Sequence, residues 1–333
     1  MNLRRIVFVL FIALFAFTFA GMSEALTIRV AGQNPIEHQN SIQMNNFKKI
    51  IEAKSGGKIN VKTYPAGQLG DYVLVYEEVS KGTIDMALIS IPPQFDARQQ
   101  IYFTPYLVSG WSELDKLFNP KGWLYGQVES FHKKMDIKFL GFFMDGLSGL
   151  GLIKEPKAPL DPTVKKGVLC RIPNMEICKV TIDNMGYNTV SVPYGDLYTA
   201  LQTGVAEGWY GGSAVHSYLG FRDVIKHYYP MNIYAESEQW VMNEKLWKSL
   251  TPDQQKLIET TIAKINKDSI KIAEKEELMY QKKMAEAGIK VHPISAKDLQ
   301  KTIAYVRKTV WPKLDNILGK ELTQALIKEY AGK

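Results

Sequence analysis

After Pro252 the chain runs to Gly288 without another proline or glycine, and Ile258, Ile262, Ile265, Ile272 and Met279 recur along the stretch at helical spacing. Nothing in it stops a helix. At 1.5 Å per residue such a helix measures about 50 Å, more than the width of either lobe of a chain this size. It is expected to reach across both lobes. The stripe thins around Ser269, so two helices meeting at a kink are the alternative. A length of 333 residues points the same way, because one simple core rarely organises so long a chain.

The remaining pattern is alternating. Leu26 to Ala31 reads as a strand, a helical pattern through Ile42, Phe47, Ile50 and Ile51 stops at Gly56-Gly57, and a strand (Ile59 to Thr63), a helix (Tyr72 to Ser80) and a strand (Ile84 to Ser90) follow. The alternation resumes with strand, helix, strand and helix at Gly167 to Ile172, Met175 to Met185, Thr189 to Val192 and Leu197 to Thr203. Strands separated by helices imply right-handed crossovers and mainly parallel sheets covered on both faces. The expected fold class is α/β, in two lobes. Beyond the long helix, a short strand to His292 and helices at Ala296 to Val310 and Leu314 to Tyr330 complete the chain.

Arg4 and Arg5, an apolar run from Ile6 to Ala20 and the small residues Ser23 and Ala25 read as an export signal over residues 1–25. The apolar run is too short for a spanning helix, which needs roughly 20 residues, although an uncleaved anchor is the bland alternative. A soluble periplasmic protein is expected. The formal net charge is +7, with lysines interleaved among glutamates and no block of five like charges, which argues against nucleic acid as a partner. Cys170 and Cys178 are the only thiols; their spacing leaves open whether they pair, and with no histidine nearby they form no zinc site.

Catalytic signatures are missing. There is no H-E-x-x-H, no nucleophile elbow, no phosphate loop and no dinucleotide fingerprint, and the five histidines fall in unrelated settings. Asp85 and Glu207 lie where strands meet turns and read as structural carboxylates. Arg171 stands apart because its strand is ended by Pro173, and Asn174 is placed to cap the next helix. An arginine and a helix N-terminus facing one space suit an organic anion; a structural ion pair explains the same arginine equally well.

The segments G-Q-L-G-D (Gly67 to Asp71), K-G-T-I-D-M (Lys81 to Met86), R-I-P-N (Arg171 to Asn174) and P-Y-G-D-L-Y-T-A-L-Q-T-G-V-A-E-G (Pro193 to Gly208) resemble the dicarboxylate-binding (DctP) type solute receptors of TRAP transporters. Each alone is weak, but together and in order they are specific. The resemblance implies a two-lobed periplasmic binding protein fold with the long helix spanning both lobes. Its expected parts are residues 26–147 plus 235–275 as lobe I, and 148–234 plus 276–333 as lobe II. It also implies a receptor that closes on a small organic anion and delivers it to the TRAP membrane permease subunits. A monomer is the default for a freely diffusing receptor, and the residues suggest no cofactor and no metal site. By this resemblance Arg171 would bind the carboxylate, with Asn174, Tyr194, Ser90, Gln33 and Asn34 contacting the remainder. The chain departs from the family pattern at Trp209, Tyr210 and Gly211: Gly211 stands where an asparagine often meets ligand, and the two aromatic residues would crowd the cleft. The place of a second family arginine falls on Gly151. A small or partly apolar carboxylate is therefore expected over a sugar acid. The rival readings are an exported two-lobed α/β enzyme acting on a small organic acid and a substrate-binding protein of an ATP-driven importer.

Overall fold

The computed structural model describes residues 25–330, so the export signal lies outside the described residues save for Ala25. From there the chain alternates as its apolar pattern demands, through β1 (Leu26–Gly32), α1 (Gln39–Lys54), β2 (Ile59–Tyr64), α2 (Tyr72–Lys81) and β3 (Met86–Ile89). β1 pairs in parallel with both β2 and β3. The G-Q-L-G-D segment is the start signal of α2: the Asp71 carboxylate accepts from the N–H groups of Val73 and Leu74 at 3.0 and 2.9 Å. In K-G-T-I-D-M, Asp85 takes a two-toothed ion pair from Arg29, through Nε at 2.8 Å and Nη2 at 3.1 Å. That carboxylate is structural.

After α3 (Trp123–Lys133), β4 (Ile137–Leu147) is separated from β5 (Gly149–Leu152) by Ser148 alone, and in that one residue the chain passes from one sheet to the other. The second lobe follows as β6 (Leu169–Ile172), α4 (Glu176–Asn184), β7 (Asn188–Ser191), α5 (Leu197–Gln202), β8 (Gly208–Gly212), α6 (Ala214–Phe221) and β9 (His227–Tyr229). β10 (Ala235–Asn243) returns to the first sheet, and α7 (Glu244–Ser249), α8 (Pro252–Glu286), β11 (Lys290–Val291), α9 (Ala296–Val310) and α10 (Lys320–Tyr330) finish the chain. The strand orders are β2-β1-β3-β10-β4 and β11-β9-β5-β8-β6-β7.

Both sheets are mixed, where the alternation predicts mainly parallel ones. β10 runs antiparallel to β3 and β4, and β5 antiparallel to β8 and β9. The cause is topological: strands that cross between lobes enter a sheet from the far side and run against those wound within it. The two crossings are tied together, since Ser148 donates its N–H to Tyr234 O and Ile233 donates its N–H to Ser148 O, both at 2.9 Å.

The long helix is one element of 35 residues, started by a capping box between Thr251 and Gln254 with Pro252 at its first turn. Ile258, Ile262 and Ile265 sit in a core with β1, β2 and Trp240, whereas Tyr280 and Met284 sit in another with Trp209 and Phe221. α8 therefore spans both lobes. Its inward face departs from the expected stripe beyond Ile265: Ile272 is half-buried and Met279 exposed, while Ser269, Ala273 and Glu277 face inward. Ser269 explains the thinning without a kink, because its Oγ accepts the Met144 N–H at 2.9 Å and donates to Asn266 O within the helix. Cys170 and Cys178 are separate thiols, both buried.

Candidate ligand site between the lobes

Arg171 is the penultimate residue of β6, a strand paired on one side with β7 and on the other with β8. Its side chain is 3% exposed. Among the described residues it donates only to main-chain carbonyls, from Nε to Val192 O at 2.8 Å and from Nη1 to Tyr210 O at 3.5 Å. Burial pulls its pKa down, and the titratable groups that act on it are Tyr72, Tyr194, Cys178 and Cys170. None of these supplies a counter-charge at neutral pH, since burial pushes both tyrosines and both thiols up. A guanidinium stays charged, so an interior arginine without an acid partner is costly as it stands.

The space beside it is shared between the lobes. A cavity of about 40 Å³ is walled by Arg171, Tyr72, Phe103, Tyr194, Tyr234 and Glu236, and it adjoins a wider cleft of about 910 Å³ that Arg171, Tyr72 and Tyr194 also line. Tyr72 is the first residue of α2, and Tyr194 comes from the turn before α5. Gln33 and Ser90 border the cavity but are bonded to each other: Gln33 Oε1 accepts the Ser90 N–H at 3.0 Å and Nε2 reaches Ser90 Oγ at 3.3 Å. Gly211 lies over the guanidinium with φ at +129°, and a Cβ there would stand 3.5 Å from Arg171 Nη1. Glycine is the residue that tolerates such a backbone.

A family model described as bacterial extracellular solute-binding protein, family 7, matches residues 30–314. The chain belongs to that family. It is 21% identical over 88% of its length to the C4-dicarboxylate-binding periplasmic protein DctP of Vibrio cholerae, covering 87% of that protein. Among solved structures, the TRAP periplasmic solute-binding protein of Desulfovibrio salexigens with bound orotic acid superposes with a TM-score of 0.82 at 20% identity. It covers 92% of this chain and 99% of that one. The Haemophilus influenzae protein with bound L-gulonate matches with the same score, identity and coverage.

Other residues of this solute-binding protein lie elsewhere than its sequence suggests. Trp209 and Tyr210 are fully buried in the second lobe and line neither cavity. Trp209 packs on Phe221 with ring centroids 4.7 Å apart, and Tyr210 on Tyr234 at 5.6 Å. Gly151 faces Trp209, whose Nε1 would be 2.5 Å from a Cβ. Asn34 is buried on Glu238, donating from Nδ2 to Oε1 at 2.7 Å. Asn174 borders the wider cleft but caps nothing; Met175 is the cap position of α4, and Gln100 Oε1 accepts the Ile177 N–H at 3.1 Å. Glu207 is tied to Lys154 and to the Leu169 N–H, a structural carboxylate.

Sequence reasoning misses Tyr72, Phe103, Tyr234, Glu236 and His216 on the small cavity. Two signals were available. Tyr72 directly follows the capping Asp71, and Glu236 and Glu238 stand at alternate positions of a strand that is otherwise apolar toward its end. The histidines are not in unrelated settings either: the rings of His38 and His216 lie 4.4 Å apart, and His227 Nδ1 is 3.0 Å from His292 Nε2.

Proposed function

We propose that this protein is the periplasmic receptor of a TRAP transporter: it takes a small organic carboxylate between its lobes, pairs it with Arg171 and delivers it as a monomer to the membrane permease. The observation that carries this reading is the buried guanidinium at the cleft with no acid of its own. A ligand carboxylate would supply the missing charge and match the planar fork of donors. The bound molecules of two related structures, orotic acid and L-gulonate, are carboxylates as well.

Tyr72, Phe103, Tyr194 and Tyr234 favour a ligand whose body is planar or partly apolar, held against ring faces. The aromatic contribution is thus assigned to these residues in place of Trp209 and Tyr210. Gln33, Ser90, Tyr194 and Gly211 are proposed contacts; Asn174 would meet the ligand only at the rim. Native mass spectrometry of protein purified from producing cells, followed by denaturation and identification of the released molecule, tests the reading. An organic acid recovered unchanged after incubation is the expected result. A neutral or cationic ligand, or a chemically converted one, would sink it.

A further inference from the structure

Beside the small cavity the interior is crowded with acids. Asp145 on β4, Glu238 on β10 and Glu277 on α8 are buried, and the Glu236 side chain is 12% exposed. Among the described residues no lysine or arginine forms an ion pair with any of them; the one basic side chain in reach is His216, whose Nδ1 lies 3.4 Å from Glu236 Oε2. Asp145, His216 and Glu238 bring ligand atoms within 4.8 Å of one another.

Independent of the acids, two amides converge on the same point. Asn34 Nδ2 donates to Glu238 Oε1 at 2.7 Å, and Asn40 Nδ2 contacts Asp145 Oδ2 at 3.3 Å and Glu238 Oε2. Asn34 Oδ1, Asn40 Oδ1 and Asp145 Oδ1 are buried with no partner, on residues that are 1%, 1% and 5% exposed. A buried carboxylate oxygen without a donor is rare, and Asp145 Oδ1 leaves the acid pair a lone pair free for a cation. His216 is oriented to join them. Its Nδ1 faces Ser213 Oγ at 3.2 Å and Glu236 Oε2, which places the ring proton there and leaves Nε2 its lone pair, as in metal-binding histidines steadied by a carboxylate.

We propose that Asp145, His216 and Glu238 form a site for one divalent transition-metal ion at the seam of the lobes. Two carboxylates and one imidazole suit Zn²⁺ or Mn²⁺ better than Mg²⁺, which keeps its water and prefers oxygen alone. The acids and amides belong to the first sheet, α1 and the loop before it, and His216 to α6 of the second lobe. The site is complete only while the lobes meet, whichever anion the cleft takes.

Chelator-treated protein titrated with Zn²⁺, Mn²⁺ and Mg²⁺, read by calorimetry and thermal unfolding, tests this. One Zn²⁺ or Mn²⁺ per chain is expected, with Tm rising by about 5 °C at roughly 100-fold above the Kd. Asp145→Asn and Glu238→Gln should each weaken binding at least about 10-fold. Without metal, Asp145→Asn should unfold no earlier than the parent, because it replaces a buried acid while keeping an oxygen to accept from Asn40. No stoichiometric ion, or binding of Mg²⁺ alone, overturns the proposal. So does full-strength binding in both variants, which would move the ion elsewhere, for instance to His227 and His292. Should the acid variants fail to fold, His216→Gln decides between the same outcomes.

Discussion

Arg171 carries a charge into the interior with only carbonyl oxygens to receive it, so its effects on binding and on folding should separate. Arg171→Ala is expected to cost about 2–5 kcal/mol of ligand affinity in calorimetry. The ligand-free variant should unfold at the same temperature as the parent or above it, because an uncompensated buried charge has been removed. Unchanged affinity would refute the clamp. His132 makes a different prediction. Its Nε2 meets Gln239 Oε1 at 2.6 Å and its Nδ1 meets the Tyr76 hydroxyl at 3.1 Å, a pairing that suits the neutral ring, and burial pushes its pKa down to about 4. The unfolded chain takes up a proton near pH 6.5 that the folded one refuses. The stability tied to this ring is thus fully present above pH 6.5 and is lost on acidification toward pH 4, on the order of 3 kcal/mol in all. Urea unfolding across that range should show a shallower pH slope for His132→Gln than for the parent.

The long helix is where pattern and packing part company. Its existence is legible from the missing proline and glycine, but its inner face is not, because beyond Ile265 the side turned inward carries Ser269, Ala273 and Glu277. Counting apolar residues picks Ile272 and Met279 instead, the first only half-buried and the second exposed. Ser269→Ala should cost about 1–3 kcal/mol in urea unfolding, since it strips the Met144 N–H of its acceptor while leaving helix propensity intact. β8 misleads in a related way. It lies between β5 and β6 in a sheet buried on both faces, so the adjacent Trp209 and Tyr210 point to opposite sides and both find core. Arg171 is legible because Pro173 ends its strand at the cleft. The acid and amide cluster is not, because Asn34, Asn40, Asp145, His216 and Glu238 come from separate segments that only the folded chain brings together.

At the scale of the whole molecule, the lobes are joined by the paired crossings at Ser148 and Tyr234 and by α8, and the cavity beside Arg171 has walls from both. Adding the cognate anion to stripped protein should lower the radius of gyration in small-angle X-ray scattering; an unchanged value would mean that the lobes do not move on one another. The helix bears on how such motion proceeds. It is anchored in the core of each lobe and has no residue at which to crease, so the lobes cannot part without flexing it along its length or prising one end loose. Any movement of one lobe on the other is thus resisted by the stiffness of a helix that lines neither the cleft nor the small cavity.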